Sequence, residues 1–234
     1  MECDIDCGFV NQRNNFQARI LTLEDREEVV KLISEFLKSE PMCIKVNLSE
    51  KARYDSAMVW FDLIIPLGFS IGFICKETSQ IVGIQLNQLT SEDQASDSSD
   101  VDDKISPELQ PILSLLDGLY DTIFKEFKVK EYFDFFIVYV SPSHRNMRIS
   151  QEMIAISEWI SANTRDGVLV IAQATGHFSY LAFLKRHFSM LREMKYDTWV
   201  NPMTTKTTFQ GMPVPHTHVR TMYKFLHATK TSNN

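Results

Sequence analysis

The chain has 234 residues, 44% of them hydrophobic and 11% aromatic, enough for one sizeable core and better suited to one domain than two. Its net charge is −6, from 24 basic and 30 acidic residues, which excludes the strongly basic footprint of a nucleic-acid binder. Six of the acids lie between Ser91 and Asp103, a stretch with no base, so the rest of the chain is balanced and the acidity belongs to one loop.

Residues 1–15 and 229–234 read as flexible ends around one domain at 16–228. The N-terminal Met-Glu-Cys-Asp-Ile-Asp is acidic and lacks an apolar centre, so it does not read as a secretory signal. The four cysteines, Cys3, Cys7, Cys43 and Cys75, form no CxxC pair and read as reduced thiols of a cytosolic protein. The most apolar run, Ala57 to Cys75, contains Asp62, Pro66 and two glycines, so it reads as a helix end and a strand rather than a membrane span.

Phe16 to Leu23 alternates loosely and predicts a first strand. Thr22 followed by Asp25 predicts a helix start. Val29, Val30, Leu32, Ile33, Phe36 and Leu37 then recur at helical spacing to about Ser39, where Pro41 limits continuation. A second helix fits Ser49 to Asp62. Leu67–Cys75 and Ile81–Asn87 read as a hairpin turning at Lys76 to Gln80. The acidic, serine-rich segment 91–103 reads as a mobile loop. Leu109, Ile112, Leu113, Leu116, Leu119, Ile123 and Phe127 mark a helix over Pro107 to Phe127. Tyr132 to Val140 is almost continuously apolar, as a central strand covered on both faces would be. Met147 to Ala162 is expected to be helical, Val168 to Ala172 a short buried strand and Gly176 to His187 a helix. Met190 to Val200 and Thr217 to Phe225 predict two final strands. The order β-α-α-β-β-α-β-α-β-α-β-β indicates a mixed α/β layer fold.

The most telling segment is Val138-Tyr139-Val140-Ser141-Pro142-Ser143-His144-Arg145-Asn146-Met147-Arg148-Ile149-Ser150. A strand runs through a short basic loop into a helix start, whose unpaired N–H groups and positive dipole end suit a phosphate. The segment resembles the acyl-CoA pyrophosphate loop of the GNAT N-acetyltransferases, usually Arg or Gln, x, x, Gly, x, Gly or Ala. Here the three defining places hold Arg145, Arg148 and Ser150. Four further places resemble the arylalkylamine N-acetyltransferases of insects and other invertebrates, a group that includes the dopamine N-acetyltransferases. They are Phe36-Leu37-Lys38-Ser39-Glu40-Pro41-Met42, Ile81 to Asn87, Ile112 to Asp117, and Ala174-Thr175-Gly176-His177-Phe178-Ser179.

The resemblance implies a GNAT fold, with a mixed central sheet flanked by helices and an extra helix before the central strand. It implies acetyl-CoA as co-substrate, held by Val138, Tyr139, Val140, Arg145, Asn146, Met147, Arg148, Ile149 and Ser150. It implies acetyl transfer to the primary amine of a small, arylalkyl-type acceptor by direct attack, with no acyl-enzyme. Glu40 would take the ammonium proton, and Thr175 and Ser179 would assist the CoA thiolate. The bland readings stand beside these. Glu40 could be a solvated carboxylate ending a helix, Arg145 and Arg148 solvated charges, and Thr175 the cap of the following helix. Where many GNAT enzymes carry a tyrosine acid, this chain has Phe183. His216, after Pro215, reads more readily as structural, and Tyr54, Trp60, Phe69 and Phe73 as core. The expectation is a monomeric cytoplasmic enzyme of small amines, with no metal, nucleic-acid or membrane partner. The alternative is a degenerate GNAT domain with weak or no CoA binding that acts as a binding or regulatory module.

Overall fold

The computed structural model describes residues 15–95, 104–120 and 122–227. The proposed flexible ends, most of the acidic loop, Cys3 and Cys7 therefore lie outside the described residues or at their margin. In chain order the elements are β1 (Phe16–Ile20), α1 (Arg26–Ser39), α2 (Pro41–Lys45), α3 (Glu50–Ile64), β2 (Ile71–Cys75) and β3 (Ile81–Ser91). Then come α4 (Glu92–Ala95), α5 (Gln110–Tyr120), α6 (Ile123–Phe127), β4 (Glu131–Val140), α7 (Ile149–Thr164), β5 (Val168–Ala174), α8 (His177–Lys185), β6 (Ser189–Lys195) and β7 (His218–Leu226).

The seven strands form one sheet in the order β1-β2-β3-β4-β5-β7-β6. All neighbours are antiparallel except β4 and β5, which run parallel. The mixed, helix-flanked sheet expected from the sequence is thus present, with α5 ahead of the central strand. On one face α1, α3 and α5 pack Val30, Ile33, Leu37, Trp60, Phe61 and Leu115 against Ile84, Leu86, Ile137 and Tyr139. On the other, α7 and α8 pack Met153, Ile154, Ile156 and Phe183 against strand residues that include Phe133, Phe135, Val170 and Met222.

Several expected elements differ in detail. The strand expected over Met190 to Val200 stops at Lys195 and is followed by a 3-10 turn at Tyr196–Thr198, and the strand expected from Leu67 begins at Ile71. The single helix over Pro107 to Phe127 is a 3-10 turn at Pro107–Leu109, then α5 and α6. Pro41 does not simply end α1. It sits at the first position of α2, where its missing N–H costs nothing and its fixed φ suits a helix.

The feature that positions the site lies in the middle of the sheet. β4 and β5 are in register only at Phe133↔Val170 and Asp134↔Ile171. Beyond that point β4 stays with β3 as far as Gly83↔Val140, while β5 stays with β7 as far as Ala174↔Arg220. The two strands part, and the edge of β4 from Phe135 to Val140 has no ladder partner on the β5 side. A register shift between Leu86 and Asn87, which pair with Ile137 and Phe135, leaves Phe136 as the extra residue of a bulge. The opening is braced from behind by Asn87, 1% exposed. Its side-chain amide donates to Phe69 O (2.9 Å) and Ser157 Oγ (2.8 Å) and accepts from Gln85 Nε2 (3.1 Å). The Asn at the end of this motif is therefore a structural bridge between sheet and α7.

Candidate active site

A cavity of about 740 Å³ fills the gap between β4 and β5. Glu40, Thr175, Ser179 and every residue expected to hold the cofactor line it, except Met147, which is 38% exposed on the outer side of the loop. The catalytic and cofactor residues inferred at distant places in the sequence thus face one space.

Glu40 sits at the corner between α1 and α2. Its N–H closes α1 on Phe36 O (2.9 Å) and its C=O opens α2 by accepting from Ile44 N (3.0 Å). Proline at the next position bars the helical conformation, and Glu40 is extended, φ −71° and ψ 126°. The corner aims the carboxyl into the cavity. Oε1 is buried with no hydrogen-bond partner among the described residues. Burial lifts the carboxyl pKa from 4.5 to about 7, against a downward pull from the Thr175 hydroxyl and the Met42 amide. That value lies where a base can take a proton near neutral pH and still give it up. Glu40 does end a helix, but it is half-buried with one oxygen enclosed, so it is not a freely solvated carboxylate.

Thr175 follows the last residue of β5 and shares the cavity wall with Glu40, near enough for its hydroxyl to pull the carboxyl pKa down. The alternative in which Thr175 caps the next helix is corrected. Gly176 is the N-cap of α8, and the amides there are met by other groups. Ser179 Oγ accepts from Gly176 N (3.3 Å) and donates to Gly176 O (2.9 Å), while His216 Nδ1 accepts from His177 N (3.2 Å). His216 therefore has the structural role expected of it, and it also lines the cavity. Burial and the neighbouring His177 lower its pKa, which favours the neutral ring that such an acceptor requires.

The loop after β4 meets the cavity on the α7 side. Arg145 folds back, with Nε on Val140 O (3.3 Å) and its guanidinium over the Tyr139 ring (5.9 Å). Asn146 and Arg148 both take left-handed backbone, φ 64° each. Glycine is usual in this loop because it adopts that conformation freely, whereas a bulky side chain costs roughly 1–2 kcal/mol. The loop keeps the backbone shape without the glycines. Arg148 is the N-cap of α7, so the first-turn amides of Ile149 and Ser150 have no intrahelical acceptor. Arg145, Arg148 and Lys185 add three cations to this side. Free edge groups of β4, an unpaired helix start and cations together suit a linear ligand with amides along its arm and phosphates at its end.

The other side of the cavity is apolar. Phe36, Phe136 and Phe178 line it beside Pro41, with Glu40 the one carboxylate among the described lining residues. The four aromatics singled out in the sequence are elsewhere. Trp60 and Phe73 are buried, Phe69 half-buried and Tyr54 exposed at 53%, and none lines the cavity. Phe183, in place of a tyrosine acid, is a buried wall residue. Sequence reasoning missed Tyr196. Its ring is fully buried against Phe209, and its hydroxyl donates to Thr175 O at 2.7 Å.

Comparison with solved structures decides what this architecture is. Aedes aegypti arylalkylamine N-acetyltransferase 2 superposes with a TM-score of 0.76 at 20% identity, covering 92% of this chain and all of the other. A mosquito arylalkylamine N-acetyltransferase like 5b gives 0.77 at 14% identity, over 90% of this chain and all of the other. A Drosophila melanogaster polyamine N-acetyltransferase, described as catalysing formation of N-acetylagmatine, gives 0.75 at 15%, over 91% and all of the other. The chain has the GNAT fold. No family model matches the sequence, and no curated protein matches it. At these identities the likeness is one of architecture. Among the described residues no helix is long and apolar enough to cross a membrane, and no cluster of His, Cys, Asp or Glu could hold a metal ion.

Proposed function

We propose that the protein transfers the acetyl group of acetyl-CoA to the primary amine of a small arylalkylamine, by direct attack in a ternary complex. The observation that carries this reading is Glu40. It is a half-buried residue whose carboxyl has a pKa of about 7 and one enclosed, unpartnered oxygen, and it lines the opening where β4 and β5 part. An ammonium has no lone pair, so its first proton must leave before attack, and Glu40 is the acceptor. The neutral nitrogen then adds to the thioester carbonyl, a C–N bond forms and the C–S bond breaks. The nitrogen's second proton leaves as the thiolate gains one, through the hydroxyls of Thr175 and Ser179. Val138 to Val140 would hold the amide-bearing arm of CoA, and the loop from Arg145 to Ser150 its pyrophosphate.

The acceptor class follows from charge and shape. A monoamine with an aromatic tail places its cation at Glu40 and its ring among Phe36, Phe136 and Phe178, where faces attract both rings and cations. The second cation of a polyamine would meet no carboxylate among the described lining residues. The solved structures similar to this one include enzymes described as acting on both kinds of amine.

The test is thermal unfolding with acetyl-CoA, followed by acetylation of a panel of phenylethylamine-type, indole-ethylamine-type and polyamine acceptors. Binding should raise the melting temperature by mass action, and turnover should favour the aryl monoamines. No protection at millimolar acetyl-CoA would remove the enzyme reading and leave the degenerate domain. Preference for polyamines would overturn the acceptor class alone.

A further inference from the structure

Tyr196 is the largest of the fully buried side chains, and one hydrogen bond ties its hydroxyl to the end of β5. It stands at the neck of a long excursion between β6 and β7. Its N–H donates to Thr217 O (3.1 Å) across the neck, Phe209 returns to pack on its ring (5.8 Å between centroids), and Gly211 N donates to Asp197 Oδ1 (2.7 Å). The same excursion carries His216 to the cavity. The last rung of the β5–β7 ladder is Ala174↔Arg220, so the peptide after Thr175 lies beyond the ladder. The Tyr196 hydroxyl supplies the donor that its carbonyl would otherwise lack. Fixing that peptide holds the Thr175 backbone, and with it the Cα–Cβ direction, on the cavity wall that Thr175 shares with Glu40.

We infer that Tyr196 is a positioning residue for the base: by holding Thr175 O it aims the Thr175 hydroxyl at Glu40 and so tunes how readily that carboxylate forms. This rests on the reading of Glu40 as the base, and it names a residue to which that reading gives no role. The groups facing Glu40 are few. Cys43 of α2 is pushed up by burial and stays a neutral thiol, His216 lines the same cavity, and Arg220 of β7 faces Tyr196. Burial and the charge of Glu40 raise the Tyr196 phenol, so it keeps its proton and remains a donor throughout the working range.

The test reads Glu40 directly, by carbon-13 titration of the glutamate carboxyls, with Glu40→Gln assigning the resonance. Tyr196→Phe keeps the ring and removes the donor. It should raise the Glu40 pKa by about half to one unit, the equivalent of one hydrogen bond. Turnover near pH 7 should fall about two- to sixfold, the loss of carboxylate that this shift implies, with the KM for acetyl-CoA unchanged. Thr175→Val should give the same shift, and the double variant no more than either single change, because both act through one hydroxyl. An unmoved pKa in Tyr196→Phe, or full additivity with Thr175→Val, would overturn the inference. Should Tyr196→Phe fail to fold, the wild type still answers. The ring carbon bearing the Tyr196 hydroxyl should titrate with Glu40 and become flat in Glu40→Gln, and a flat curve in the wild type rejects the coupling. The titrations need no turnover, so a protein that fails to acetylate amines while showing this coupling separates the two claims.

Discussion

Glu40 at the α1–α2 corner and Asp134 in the middle of β4 are both carboxyls raised by desolvation, to about 7 and about 6, Asp134 buried throughout and Glu40 half-buried with one oxygen enclosed. Only one of them faces a cavity. Asp134 has a donor on each oxygen: the Tyr120 hydroxyl on Oδ1 (2.8 Å) and Gln88 Nε2 on Oδ2 (3.1 Å). Tyr132 stacks on Tyr120 and closes the cluster, with ring centroids 6.2 Å apart. Glu40 keeps one oxygen buried and unpartnered. A raised pKa alone therefore does not mark a functional group here. What separates the two is whether the set of partners is complete and whether the remaining lone pairs face space for a substrate. Asp134 ties α5 to the sheet just below the point where β4 and β5 part, and Glu40 stands above that point, in the opening.

The sharpest way to break this comparison is Glu40→Gln, which keeps shape and cannot accept the proton. We expect turnover with an arylalkylamine to fall on the order of 10²–10³-fold near pH 7, with acetyl-CoA binding nearly unchanged. The sign with pH follows from the raised pKa. The active carboxylate grows as pH passes about 7, so the wild-type rate should climb there and the variant should lose that limb. The deficit should narrow as pH approaches the amine pKa, ~10, where solution removes the proton. A pH–rate profile of both proteins checks this, and a deficit constant with pH would place Glu40 with Asp134 among structural acids.

Much of the architecture was legible in the sequence, because it follows from periodicity and chemistry within single elements. The apolar stretch of β4, the helical spacing of α1 and the basic loop before α7 each announce themselves locally. The site is less local. Glu40 reads as an exposed acid until α1, α2 and the end of β5 enclose it. Phe136 faces the cavity through a bulge, and a one-residue slip reverses the side a strand residue takes. Tyr54, Trp60, Phe69 and Phe73 drew attention as aromatics, yet a ring's use depends on which surface it meets. Tyr196 carries no motif at all, since its partner lies 21 residues earlier in the chain and is a backbone oxygen. Arg148 shows the converse. Its departure from glycine was visible, but only the structure shows that the backbone keeps its left-handed turn regardless.

Asp134→Asn probes the other carboxyl. Its raised pKa means that the folded state holds the proton more tightly than the unfolded chain. Stability from this group is therefore complete below pH ~4 and is lost as pH rises to about 6. The neutral variant avoids that loss. Its stability relative to wild type should improve by about 2–3 kcal/mol between pH 4 and pH 7, the linkage equivalent of the raised pKa. Because Glu40 is present in both proteins, the difference isolates Asp134. Denaturant unfolding at several pH values measures it, and turnover at pH 8 should stay within a few-fold of wild type. A collapse of turnover in a folded Asp134→Asn would erase the distinction between the two acids.

The smallest expected effect comes from Tyr120→Phe, which removes one of the two donors on Asp134 and keeps the stack on Tyr132. Desolvation and the neighbouring Asp134 raise the phenol's own pKa well above 10, so it donates at every working pH. Its bond favours the charged form of Asp134, and its loss should move that carboxyl higher still. The variant should therefore lose about 1–2 kcal/mol at pH 8, where a buried carboxylate is left short of a donor. At pH 4, where Asp134 is protonated in both proteins, the loss should shrink to a few tenths of that. Chemical denaturation at the two pH values gives both numbers. The acetylation profile should keep its rise near pH 7, since nothing at Glu40 has changed. An equal loss at both pH values would show that Tyr120 stabilises the fold by packing alone. The contrast would then rest on the cavity that Glu40 faces, and no longer on how fully each carboxyl is partnered.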